Sequence, residues 1–245
     1  MTSDLSATGE NVDVTSDAVY NTGAMLSVGG TRMKTLPNVD LDALDEQLLD
    51  KTTGRIRLMP AAELLAHGLL ALQAWCVARA RYQLVTTELI EWLKPLVHGR
   101  RAIEIGAGMG DLGHYLGIPM TDSAWQVEQE ADTFFALAFR DQAPTNPPPD
   151  VERIDAEAAV AKYKPDIVVG CWITQKWHEG DDRGSVHGVE EIRIVRAVDC
   201  YVHIGNHRVH SFKRILRLKH KERRAPWIVS RAFEPEENII WTWGR

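Results

Sequence analysis

Glu104, Gly106, Gly108 and Gly110 form the most chemically suggestive spacing in the chain. Arg101-Ala102-Ile103-Glu104-Ile105 reads as a short apolar strand, and the glycines follow at once. Glycine at a strand exit lets the backbone approach a bound molecule closely, because no Cβ stands in the way. A helix opening there would present its unpaired N–H groups to the same place. Further along, Asp122 closes a second short strand, Asp155-Ala156 closes a third, and Gly170-Cys171-Trp172 ends a fourth. Trp172 and Trp177 are suited to stacking a planar molecule, and His178 to accepting a proton. Cys76, Cys171 and Cys200 are widely spaced without a CxxC pair, so neither a zinc site nor a disulfide frame is expected. His203, His207 and His210 lack a completing carboxylate or second cysteine, and no metal is assigned to them.

The acid-x-Gly-x-Gly-x-Gly run resembles the first motif of the class I S-adenosylmethionine (SAM)-dependent methyltransferases. That resemblance implies SAM as cofactor. It places Glu104 near the methionine amino group and Gly106, Gly108 and Gly110 against the methionine and ribose. Asp122 is implied at the ribose hydroxyls, although it follows Gly110 more closely than is usual in the family, and Glu128 is the alternative. Asp155 and Ala156 are implied at the adenine, and Gly170 beside the cofactor at the end of strand four, where Trp172 and His178 are the candidate catalytic residues. Pro148-Pro149-Asp150-Val151, Ile204-Gly205-Asn206 and Trp227-Ile228-Val229-Ser230-Arg231 look similar to uncharacterised phage and bacterial methyltransferase-like proteins. Two other family signatures fail. The Pro-Cys of cytosine-C5 methyltransferases is Gly170-Cys171 here, and Asn146-Pro147-Pro148 lacks the aromatic that amino-group methyltransferases place next. A competing reading comes from Gly108-Met109-Gly110-Asp111-Leu112-Gly113, which fits GxGxxG with Glu128 about 20 residues on, as in nicotinamide dinucleotide-binding proteins. A catalytically silent SAM-fold binding or regulatory protein is the third.

The elements that must position these residues can be read from periodicity. Residues 1–36 are polar and aperiodic and are expected to form a mobile arm. A helical cap is expected over 37–100: a short helix on Leu41, Leu44, Leu48 and Leu49, and a longer one from Pro60 with a stripe at Leu65, Leu69, Leu72 and Cys76. A third helix follows the N-cap Thr86, with Leu89, Ile90, Leu93, Leu96 and Val97 inward. Residues 101–245 alternate strand and helix, which predicts an α/β, Rossmann-like, mostly parallel sheet. Strands are expected at 102–105, 118–120, 151–154, 167–169 and 200–204, with helices over 130–139 and 156–163. Trp227–Phe233 and Ile239–Trp243 are expected to pair as an antiparallel hairpin, because their connection is short. The class I methyltransferase fold has such an antiparallel last strand.

Charge and composition add limits. The 245 residues carry a net charge of −6 and are 44% hydrophobic, ordinary for a globular chain. Residues 1–50 hold nine acids against Arg32 and Lys34, whereas 208–224 hold eight bases against Glu222. The basic segment is either a solvated face or a nucleic-acid contact. No signal peptide or membrane span is recognisable, so a cytoplasmic protein is expected.

Overall fold

The computed structural model describes residues 39–127, 142–181 and 183–244. The expected arm, the helix over 130–139 and Glu128 therefore lie outside the described residues. Helix α1 (Leu41–Leu48) opens on Asp40, whose carboxylate accepts the Ala43 N–H at 2.9 Å. Next come α2 (Ala61–Leu65), α3 (Leu69–Ala78), β1 (Gln83–Leu84) and α4 (Thr87–Val97). The Thr86 hydroxyl caps α4 by accepting from Leu89 N–H at 3.2 Å. The remaining elements are β2 (Ala102–Ile105), α5 (Asp111–Leu116), β3 (Met120–Asp122), β4 (Glu152–Arg153), α6 (Ala156–Tyr163) and β5 (Ile167–Cys171). After them follow α7 (Glu191–Ala197), β6 (Cys200–Asn206), α8 (His207–His210), β7 (Lys221–Arg223), β8 (Val229–Ser230) and β9 (Asn238–Gly244).

Seven strands form one sheet in the order β4-β3-β2-β5-β6-β9-β7. The pairs from β4 to β6 are parallel, and β9 is antiparallel to both of its neighbours. The expected α/β sheet with an antiparallel last strand is therefore present. The order departs from the plain dinucleotide-binding 3-2-1-4-5-6, because the antiparallel strand is inserted before the edge. The five residues of β5 and the seven of β6 are almost wholly buried, as strands covered on both faces must be.

Alternation along each strand divides the core. Ile103, Ile105, Val168 and Tyr201 pack with Ala159 and Ile194 of α6 and α7. Ala102, Val169, Val202 and Ile204 pack with Leu89, Leu93 and Leu112 of α4 and α5. Glu104 is out of phase with Ile103 and Ile105, which turns its carboxyl towards α5. A third cluster holds Leu48, Ile56, Leu64, Leu72, Trp75 and Leu84 in the leader. Trp227 touches both this cluster and the α4 face of the sheet, and its carbonyl accepts the Thr86 hydroxyl at 2.9 Å.

Three expectations are corrected. The single helix from Pro60 is two, because Gly68 adopts a left-handed φ of +89° that ends one helical phase and begins another. Leu65 is accordingly exposed, while Leu72 and Cys76 are buried. The terminal hairpin does not form. β9 lies between β6 and β7, while β8 crosses to the leader and pairs antiparallel with β1. The second strand also sits two residues later than expected, at Met120–Asp122, with Pro119 leading in.

Trp227→Ala should remove the bridge between the leader and the sheet. A loss of about 3 kcal/mol is expected for a large aromatic at such a junction, read as a lowered urea midpoint. An unchanged midpoint would contradict the bridging role.

Candidate functional site

At the end of β2 the chain turns through Gly106 and Gly108, both left-handed with φ near +55°. A Cβ at Gly106 would stand 2.5 Å from the Ile173 side chain, so the turn also needs glycine for space. Four backbone donors of this turn and the helix after it already have partners within the protein. Asp122 accepts Gly108 N–H at 2.9 Å with one oxygen and Ala124 N–H at 2.8 Å with the other. Glu104 reaches under the first turn of α5 and accepts Gly113 N–H at 2.8 Å. The N–H groups of Ala107 and Gly110 bind the carbonyls of Thr121 and Ala107.

Burial sets the charge of both acids. Glu104 is 2% exposed, and desolvation lifts its pKa to about 8 against the Gly113 hydrogen bond, with Asp111 nearby adding to the rise. Asp122 is also raised by burial, which the Ala124 and Gly108 hydrogen bonds oppose. Near neutral pH Glu104 is thus mainly protonated, and it would ionise if a cation came beside it.

The leader bolts the other side of this turn. Ile56 N–H donates to Asp111 at 3.0 Å, and buried Arg81 donates to the second Asp111 oxygen at 2.7 Å and to the Gly54 carbonyl at 2.8 Å. Arg55 donates to the Met109 carbonyl and pairs with Asp150 at 2.6 Å. Gly110 gives room to this clamp, since a Cβ there would lie 2.5 Å from the Arg55 guanidinium. It does not line the cleft that the other two glycines face.

That cleft measures about 560 Å³ and opens beyond the carboxyl ends of β2, β3 and β5. Of the residues singled out from sequence, Glu104, Gly106, Gly108, Asp122, Asp155, Ala156, Trp172 and His178 line it. Asp155 caps α6, one oxygen accepting Ala158 N–H at 2.8 Å while the other takes no part in capping. Gly170 stands behind the wall, where a Cβ would meet Ile173 at 2.7 Å and the Tyr201 hydroxyl at 3.2 Å. Trp172 holds a left-handed φ of +54°, unusual for a bulky residue, with its ring 6.0 Å from Tyr82 and 5.2 Å from His210. His178 sits on the rim, 2.6 Å from Glu190. Trp177 is exposed and does not line the cleft. Cys171 has its pKa raised well above the usual thiol value by burial, which disfavours a thiolate.

The cleft lining is predominantly acidic. Glu104, Asp111, Asp122, Asp155, Glu157 and Glu190 face Arg81, Lys176 and Arg193, and Asp111 is already matched by Arg81. Among the described residues, two buried polar atoms of its lining have no partner, Arg81 Nε and Thr145 Oγ1. Trp125 and His187 stack at 4.6 Å across the cleft lining. None of Arg81, Thr145, Trp125 or His187 was singled out from sequence. A leader arginine and a threonine in a proline-rich connector carry no local pattern. Asp111 alone had a signal, as an acid in the first turn of a short helix.

Lys213, counted in the basic segment, is in fact 3% exposed. Its ammonium bonds Glu191 at 2.6 Å and donates to the Ile173 carbonyl at 2.7 Å. Glu191 also accepts the Tyr201 hydroxyl at 2.8 Å and meets His203 at 3.1 Å. Burial alone would raise the Glu191 pKa, but Lys213 and His203 hold it down at about 2. Burial and Lys213 lower that of His203 to about 4. The network fixes Ile173, the residue that fills the space beside Gly106 and Gly170. Arg208, Arg214 and Arg224 pair with Glu234, Glu190 and Glu237, so the basic segment is smaller at the surface than in sequence. Among the described residues no group of three His, Cys, Asp or Glu is placed to hold a metal, and no helix is long and apolar enough to cross a membrane.

No protein-family model matches the chain, and no curated protein matches it in sequence. Among solved structures it is similar to SMU.776, described as a methyltransferase and complexed with S-adenosylhomocysteine, at 10% identity and a TM-score of 0.35. That alignment covers 63% of this chain and 48% of the other, about half its length. A SAM-dependent methyltransferase from Agrobacterium tumefaciens aligns at 13% identity, TM-score 0.33, over 63% of this chain and 60% of that one. The Pyrococcus abyssi tRNA (uracil-54, C5)-methyltransferase, complexed with S-adenosylhomocysteine, aligns at 12% identity, TM-score 0.30, over 70% and 38%. The functional reading rests on the chemistry of the cleft and not on these distant likenesses.

The buried acid gives a pH signature. Folded Glu104 holds its proton up to pH about 8, whereas the unfolded carboxyl releases it near 4.5. The folded state thus binds more protons between these values, so this group lowers stability as pH rises through that window. Glu104→Gln keeps an acceptor for Gly113 and removes the ionisation. It should match the wild type below pH 4.5. At pH 9 it should be more stable by on the order of 5 kcal/mol in urea unfolding.

Proposed function

We propose that the chain is a SAM-dependent methyltransferase whose cofactor lies in the cleft at the ends of β2, β3 and β5. One observation carries this reading: two of the protein's own acids already engage a backbone donor of the glycine turn and one of the helix that follows it. A dinucleotide fold binds its diphosphate on such N–H groups at a helix N-terminus. Here Asp122 engages Gly108 and Glu104 engages Gly113, and a phosphate would have to displace both side chains from these donors. An acidic, glycine-floored cleft instead suits a ligand bearing cationic centres and a diol. The GxGxxG reading is disfavoured for the same reason.

SAM supplies an electrophilic methyl group on a sulfonium, and the rest is positioning. Glu104, ionising as the ligand arrives, would accept from the amino group, since a cation beside a buried carboxyl favours its charged form. Asp122 would accept the ribose hydroxyls with lone pairs not used on Gly108 and Ala124. Gly106 and Gly108 would allow close approach of the chain. Asp155 would take the adenine amine with the oxygen not used in capping, beside Ala156, and Gly170 would keep the wall thin. Trp172 at the end of β5 would face the acceptor, and His178 is the group available on the rim to take a proton if one must leave.

Arg217, Lys219, Lys221 and Arg223 are exposed and keep nucleic acid as a candidate acceptor. The silent binding-module alternative differs only in turnover: the enzyme forms S-adenosylhomocysteine with some acceptor, the module with none. The free cysteines accord with a cytoplasmic setting.

Calorimetric titration with SAM, S-adenosylhomocysteine and NAD tests the reading. Micromolar SAM affinity, about −8 kcal/mol, is expected with no response to NAD. Asp122→Asn or Glu104→Ala should weaken SAM binding by roughly tenfold or more. Binding of NAD, or none of SAM, would overturn the assignment.

A further inference from the structure

Arg81 presents an incomplete interaction at a fixed place. Its side chain is 4% exposed, and its two terminal nitrogens are occupied by Asp111 at 2.7 Å and the Gly54 carbonyl at 2.8 Å. These two bonds fix the plane of the guanidinium and therefore the direction of the donor on its third nitrogen. That donor, Nε–H, is buried and has no partner among the described residues, although Arg81 lines the cleft. A buried guanidinium donor without an acceptor is costly, and such atoms call for an explanation outside the protein.

The position of Arg81 says which part of a ligand could supply the acceptor. Arg81 is tied to the first turn of α5 through Asp111, and Glu104 to the same turn through Gly113. A carboxyl suited to an ammonium group and a guanidinium suited to an anion thus flank one helical turn. An α-amino acid carries those two charges one carbon apart. Asp111 does not itself accept from the ligand, because its oxygens receive Ile56 N–H and Arg81.

We propose that Arg81 reads the carboxylate of the ligand's amino-acid end through Nε–H, making the leader part of the cofactor site and a source of its specificity. The proposal rests on the SAM reading above. Arg81 acts as a binding residue and not as a participant in methyl transfer.

The test compares two probes that differ only in the carboxylate, SAM and decarboxylated SAM, by calorimetry on the full chain. The wild type should prefer SAM by roughly 10- to 100-fold, as expected for one charge-assisted hydrogen bond. Arg81→Gln should reduce that preference to about threefold or less, while affinity for decarboxylated SAM changes little. If Arg81→Gln fails to fold by circular dichroism, Arg81→Lys serves. A lysine keeps charge opposite Asp111 but has no planar fork and no donor at the Nε position, so the preference should again fall. Equal loss of both ligands in a folded variant, a preference retained in Arg81→Lys, or no preference in the wild type overturns the role of Arg81. Absence of binding by either probe to the wild type overturns the cofactor reading instead.

Discussion

Two carboxyl groups, Glu104 and Asp122, hold the strand ends in their functional shape by engaging backbone N–H groups of the turn and helix after β2. The same feature recurs in many α/β proteins as an anion site, because unpaired N–H groups and the helix dipole attract negative charge. In this chain two acid side chains occupy donors at that place. What is left for a ligand is therefore an acidic surface floored by glycine, with chemistry opposite to that of a diphosphate site. The cost is borne at Glu104, whose buried carboxyl is driven towards its neutral form.

Buried ion pairs on both sides stabilise that arrangement. Arg81 and Asp111 lock the leader to α5, and Lys213 with Glu191 locks the Ile173 carbonyl behind the glycines. Such pairs are poor sources of net stability, because desolvation offsets most of the attraction. Their value lies in geometry: each sets a segment that no regular ladder would hold. The leader and α5 come from distant parts of the sequence and meet through Arg81 and Asp111, while Lys213 holds the segment after β5.

Local signals made much of this legible in sequence. The Thr86 cap, the α6 start at Asp155 and the apolar β5 follow from capping and short-range periodicity, and the structure has them. The glycine spacing indicated the strand exit, and most of the acids chosen beside it line the cleft. What failed was non-local. The run 227–233 is strand-like, but its partner is β1 in the leader instead of its neighbour β9. Lys213 looked like one base among eight because sequence does not reveal that Glu191 waits inside the core. Arg81 had no pattern at all: its meaning comes from Asp111, thirty residues away.

Proton release on ligand binding tests the central claim most directly, that the strand exit is built for a cationic amino-acid ligand. Calorimetry of SAM binding near pH 7, in buffers of different ionisation enthalpy, counts the protons released. A carboxyl with a pKa of about 8 that ionises beside an ammonium group should release close to one proton, and Glu104→Gln should abolish this release. Tight binding without proton release, or the same release from both proteins, would contradict the account.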